Sequence, residues 1–109
     1  SAESDRTITI EAAAHLADQG RFVEAVKCCE EHMRENGPSP QAFHLMGLLR
    51  DATGNHSEAA DWYRKALYLD PDHHEALVHL AFLMEKEGSA SAAQALRDRA
   101  RRAVLKRKA

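Results

Sequence analysis

A chain of 109 residues with 44% hydrophobic and 29% charged side chains has the apolar content for one continuous core and too little length for two, which excludes multidomain and disordered readings. It has no run of eighteen apolar residues and no basic-then-apolar leader, so neither a membrane span nor a signal peptide is predicted and the expected compartment is the cytoplasm. The formal net charge of −2 conceals an acidic body, residues 1–96 with eight Lys and Arg against sixteen Asp and Glu, and a basic end, residues 97–109 with seven against one.

In chain order, residues 1–5 are polar and predicted to fray. Because no Met begins the chain, it is read as a piece of a longer protein. Residues 6–19 form the first predicted helix, with Ala12, Ala13 and Leu16 apolar and Gly20 at its end. The second, over 22–36, carries Ala25 and Cys29. Ser39-Pro40 opens the third, over 40–53, with Ser39 as cap and Pro40 in the first turn, where its missing N–H has no partner to lose. The fourth, over 56–69, holds Ala59, Tyr63 and Ala66 and stops at Asp70-Pro71. The fifth, over 73–87, repeats the third through Leu77, Leu80, Ala81 and Met84. The sixth, over 90–107, has an apolar stripe of Ala93, Leu96, Ala100, Ala103 and Val104. Gly20, Gly54 and Gly88 recur at an interval of 34 and are predicted to close the first helix of each pair through a left-handed backbone. Asn55 and Ser89 follow as expected caps of the fourth and sixth helices.

Three segments therefore align without a gap at a period of 34, approximately 6–39, 40–73 and 74–107. The middle one, with Phe43, Met46-Gly47, Ala59, Tyr63, Ala66 and Pro71, closely resembles the tetratricopeptide repeat (TPR). The third departs at Arg97, where a large apolar residue is usual, and the first at Cys29 and His32. The resemblance implies an all-α solenoid of six helices forming a single domain over residues 6–109.

The residues offer no catalytic constellation: there is no phosphate loop, dinucleotide fingerprint or nucleophile motif. Of the seven histidines, none pairs at one-turn spacing across a carboxylate, so no metal site is predicted and the rings are read as surface groups, with His44 and His79 able to approach across adjacent repeats. Cys28 and Cys29 are read as reduced thiols, Cys29 as core packing and Glu24, Glu30 and Glu31 as raising their pKa.

In a solenoid of this kind the first helices of the repeats line the concave face. That assigns a partner-binding groove to Ile10, Ala14, His44, Leu45, Leu48, Asp51, Glu75, Val78, His79, Phe82 and Glu85, with Thr7, Glu11, Ala17, Asp18, Gln41 and Lys86 at its margins. Residues 42–49 and 76–84 are apolar nearly all round, leaving a surplus to be covered by a partner helix anchored on Leu48 and Phe82, by a second copy, or by another part of the parent chain. The carboxylate clamp by which some TPR proteins hold chaperone tails uses Lys, Asn and Arg. Here the matching positions are Ile10, Ala14, Leu45, Glu75 and His79, which disfavours that role.

The junction Tyr68-Leu69-Asp70-Pro71-Asp72-His73, within residues 40–108, is similar to the C-terminal TPR tail of CheR-type chemoreceptor methyltransferases, most of all the Wsp-type, biofilm-associated members. The resemblance implies a bacterial parent that methylates receptor glutamates from S-adenosylmethionine, with catalytic and cofactor residues outside this chain. The chain itself is then a non-catalytic, cofactor-free interaction domain. Its implied partner is a chemoreceptor or associated signalling protein, which would recruit it to a membrane receptor array. A second reading is a free-standing scaffold whose final helix, through Arg97, Arg101, Arg102, Lys106, Arg107 and Lys108, binds an acidic protein, nucleic acid or anionic membrane. Nucleic acid is disfavoured because no aromatic residues interleave with those cations.

Overall fold

The computed structural model describes residues 9–109, so the expected fraying at 1–5 and the start of the first helix lie outside the described residues. Among the described residues six helices follow one another: α1 (Ile10–Asp18), α2 (Phe22–Asn36), α3 (Pro40–Ala52), α4 (His56–Leu69), α5 (His74–Lys86) and α6 (Ala90–Lys108). They form three antiparallel pairs, α1·α2, α3·α4 and α5·α6, stacked so that α3 packs on α2 and α5 on α4.

Local chemistry explains most boundaries. Ser39 accepts a hydrogen bond from the Ala42 N–H at 3.1 Å with Pro40 in the first turn, as expected, and Thr9 caps α1 the same way. Gly20, Gly54 and Gly88 adopt φ of 76, 83 and 86°, backbone that a side chain would strain, and each ends the first helix of a pair. Two expected caps differ. Asn55 and Ser89 occupy N-cap positions, but with ψ near 66° neither side chain reaches the helix N–H groups, and the Asn55 amide donates to Thr53 Oγ1 instead. At α5 the cap is a residue the spacing did not single out, His73, whose Nδ1 accepts from the Ala76 N–H at 3.1 Å.

The core divides at the middle pair. Ala13, Ala25 and Cys29 pack with Ala42, Leu45, Met46 and Leu49 of α3. Tyr63, Ala66 and Leu67 pack with Leu77, Leu80, Ala81 and Met84 of α5, closed by Ala93, Ala100 and Ala103 of α6. Small residues mark the close approaches. A Cβ placed on Gly47 would lie 2.3 Å from Tyr63 Cε1, inside a ring that is fully buried and has nowhere to move. Gly47→Ala is therefore expected to destabilise the fold by about 1–3 kcal/mol through overpacking. This outweighs the roughly 1 kcal/mol by which alanine favours a helix. A lowered urea midpoint at unchanged slope is the readout.

Candidate functional site

The face expected to form the groove comprises α1, α3 and α5, the first helices of the three pairs. At its centre the His44 and His79 rings stack with centroids 5.1 Å apart and planes 6° from parallel, and His44 Nε2 lies 2.9 Å from His79 Nδ1. One ring donates and the other accepts, so two charged rings would oppose N–H to N–H. Tyr63 and His73 flank the pair, with centroids 5.8 and 5.1 Å from His44. Burial, then the neighbouring His79 and His73, lowers the His44 pKa to about 4, and burial likewise lowers that of His79. These histidines are thus not the surface groups expected from the sequence, and His73 is itself buried: stacking the repeats brings together rings 35 residues apart. Asp51 accepts from His56 Nδ1 at 2.8 Å and from the Tyr63 hydroxyl at 3.4 Å, which commits it to the fold.

The predicted groove residues divide between two hollows. Ile10, Ala14, His44, Leu45, Leu48 and Glu75 line a cavity of about 460 Å³, in which Gln41 stands at the rim and Arg107 of α6 approaches. Leu45 is only 7% exposed and forms floor, and Leu48 is half-buried against both core clusters. Val78 and Phe82 belong to a separate hollow of about 580 Å³, shared with Ala100, Val104 and Leu105 of α6. Leu48 and Phe82, expected to anchor one groove, thus line different hollows, and neither lining contains Asp51, His79 or Glu85. Thr7 lies outside the described residues. Leu105, 65% exposed, is the site residue that sequence reasoning missed. Its signal was a large apolar residue directly after Val104, among the cations of the helix's last turns.

Part of the basic last helix is paired with the rest of the chain: Arg97 pairs with Glu85 and Lys106 with Asp72 at 3.2 Å, while Arg101 pairs with Asp98 on its own helix. Arg99 donates to the Pro71 carbonyl at 3.2 Å. The acidic body thereby takes up part of the basic end, and the scaffold reading that needed those cations unpaired is not favoured. Arg102 and Lys108 remain exposed.

Cys29 is fully buried, its thiol 3.5 Å from the Ala42 carbonyl as donor, and its pKa is raised to about 11. Burial is the first cause there and at Cys28, with the neighbouring charges secondary, whereas the sequence had assigned the effect to the glutamates. Among the described residues, no three His, Cys, Asp or Glu are placed to hold a metal ion, and no helix is long and apolar enough to cross a membrane.

Three stacked helix pairs at a period of 34, with a small residue at each close approach, define a TPR domain, and the tetratricopeptide repeat family matches residues 40–73. The chain is 48% identical over 93 residues to the "Probable biofilm formation methyltransferase WspC" of Pseudomonas aeruginosa, and 43% identical over 90 residues to that of Pseudomonas putida. These alignments take in 85% and 83% of this chain but 22% and 21% of the relatives, so the chain spans about a fifth of their length. The likeness to the TPR portion of CheR-type methyltransferases, expected from the 68–73 junction, is thereby shown. Among solved structures, MamA superposes with a TM-score of 0.82 at 20% identity over 94% of this chain and 62% of MamA, a likeness of fold.

Proposed function

We propose that this TPR domain localises or regulates a CheR-type chemoreceptor glutamate methyltransferase in a biofilm or surface-sensing pathway by docking a chemoreceptor or associated signalling protein. The observation that carries the reading is the 48% identity to a methyltransferase of which the chain spans only about a fifth. On this reading methyl transfer and S-adenosylmethionine belong to the rest of the parent protein, in the cytoplasm beside a receptor array. The chain's own contribution is positional. The hollow between α1 and α3 offers apolar walls at Ile10, Ala14 and Leu48, with Glu75 and Arg107 at its margin to orient a polar partner group.

Two measurements test it. An antibody raised against this domain is expected to detect one native polypeptide far larger than 109 residues; a species of this size alone would retire the methyltransferase. In the parent protein, Leu48→Glu and the rim variant Gln41→Arg are expected to weaken binding to the purified receptor cytoplasmic domain at least tenfold. Methylation of a soluble glutamate-bearing peptide should persist. Because Gln41 is exposed, its variant separates docking from folding, and unchanged binding by both would remove the hollow from the mechanism.

A further inference from the structure

The seam between the second and third helix pairs is closed by different chemistry from the seam before it. One period before His44 and His79 stand Ile10 and Leu45, an apolar pair at the α1–α3 seam, both packed in the first core cluster. At the α3–α5 seam the same positions carry two half-buried imidazoles joined by a hydrogen bond of 2.9 Å. The α3 and α5 backbones scarcely meet there, so side chains carry the contact, whereas against α4 the fifth helix packs through Leu77, Leu80 and Ala81. His73, at the end of the turn that leads into α5, stands one period after Ser39 and takes the same role of N-cap, its Nδ1 accepting from the Ala76 N–H at 3.1 Å. Its ring centroid lies 5.1 Å from that of His44. Three positions that are apolar or hydroxyl-bearing at the first seam are thus histidine at the second, and all three bear on α5.

We propose that His44, His79 and His73 form an acid-sensitive latch holding α5 against α3, and that protonating it frees α5 and α6 from the second pair while α3 and α4 stay packed. Each bond of the latch needs a ring nitrogen without a proton. The facing nitrogens of His44 and His79 share one proton, and charging both rings sets N–H against N–H. A proton on His73 Nδ1 turns the acceptor of the Ala76 N–H into a donor and places positive charge at a helix N-terminus. Neither the Ile10–Leu45 seam nor the packing of Gly47 on Tyr63 involves an ionisable ring nitrogen, so acid acts on one joint of the array. The other groups facing the latch set its poise. From α3, Asp51 favours charge on His79; from α5, Glu75 favours charge on both rings and His74 opposes it on His79. Asp70 of the turn and Arg107 of α6 enter the adjoining hollow with opposite charges, α4 contributes the Tyr63 ring, and α1 meets the hollow through the uncharged Ile10 and Ala14. Burial outweighs both carboxylates and keeps the closed latch neutral. The hollow between α1 and α3 straddles this joint, with Leu45 and Leu48 on one side and His73, Glu75 and Arg107 on the other, so opening the latch parts its walls. The latch itself does not depend on what the hollow binds.

Amide hydrogen exchange of the chain, corrected for the intrinsic rate and followed beside far-UV circular dichroism, tests the latch. Between pH 7.5 and 5, a ring whose pKa rises from about 4 to 6.5 on opening favours the open joint by about thirtyfold, and partial solvent access reduces this. The amides of residues 77–81 are therefore expected to lose at least tenfold in protection. At pH 5 they should exchange at least tenfold faster than those of residues 63–67 in α4, with helicity retained. His44→Ile with His79→Leu, which copies the Ile10–Leu45 pair, should remove most of the response, and His73→Ser, which copies the Ser39 cap, should reduce it while α5 stays helical. Should either variant lose helicity, the other decides. Protection in α5 unchanged by acid would overturn the proposal, as would equal protection in α5 and α4 at pH 5, since acid would then loosen the chain as one unit. So would a full response retained by the folded variants. If α5 responds to acid as expected while Leu48→Glu and Gln41→Arg leave receptor binding unchanged, the fault lies with the reading of the preceding section and the latch stands; if receptor binding responds to those variants and α5 ignores acid, the latch alone falls.

Discussion

Tyr63→Ala is expected to lower stability by about 3–5 kcal/mol, the range for removing a large buried ring. Against the roughly 5–15 kcal/mol that holds a typical domain together, this brings the chain close to unfolding at room temperature. Tyr63 is the largest fully buried side chain, and it fills the volume that Gly47 vacates. Its loss opens a cavity between α3 and α4 that backbone cannot close, because Ala59, Ala66 and Ala76 beside it are already small. Tyr63→Phe isolates the ring from the hydroxyl. The hydroxyl donates to Asp51 across 3.4 Å, a long bond, so its loss should cost no more than about 1 kcal/mol. Urea titrations of the three proteins provide the comparison. A Tyr63→Ala loss no larger than that of Tyr63→Phe would show that the ring's packing contributes little. Combined with Gly47→Ala, Tyr63→Ala should cost less than the sum of the two, since the new methyl enters the space the ring leaves.

Stability should also fall as the solution is acidified from pH 6.5 to 4, by about 2 kcal/mol from His44. Its folded pKa of about 4 lies below the ordinary value of 6.5, so in that window the unfolded chain binds a proton that the folded chain excludes. Stability contributed by the neutral ring is therefore complete above pH 6.5 and lost as pH drops through 4. The full shift corresponds to about 3 kcal/mol, and partial solvent access reduces the expectation. The groups facing the ring are His79, His73, Tyr63 and Glu75. His79, also lowered, acts in the same direction, and the Glu75 carboxylate moderates the effect by favouring the charged rings. Urea midpoints at pH 7.5 and 5 for the native chain and His44→Leu provide the test. The variant should lose at least half of the pH dependence, and an unchanged slope would place the sensitivity elsewhere.

The helices and turns were legible in the sequence because their signals are local and repeated. Gly54 and Gly88 at one period, Pro40 after a capping serine, and Pro71 after Asp70 each act on their own backbone, and the boundaries agree within a residue or two after the first helix. Caps were less legible. Asn55 and Ser89 have the right chemistry, yet the turn before each helix sets a ψ that turns the side chain aside, whereas His73 caps because α5 begins in extended backbone.

By itself the sequence determined the repeat, the six helices, the buried alanine and leucine faces and the likeness to the methyltransferase tail, since all of these follow from spacing along one chain. Only the tertiary structure decided what the concave face is. Stacking set His44 against His79 and divided the expected groove in two, and it turned Lys106 onto Asp72, 34 residues away. The physical reason is that a period of 34 specifies which face a residue occupies. The neighbour met there depends on the distance and angle between repeats, which the packing of α3 on α2 and of α5 on α4 sets in three dimensions.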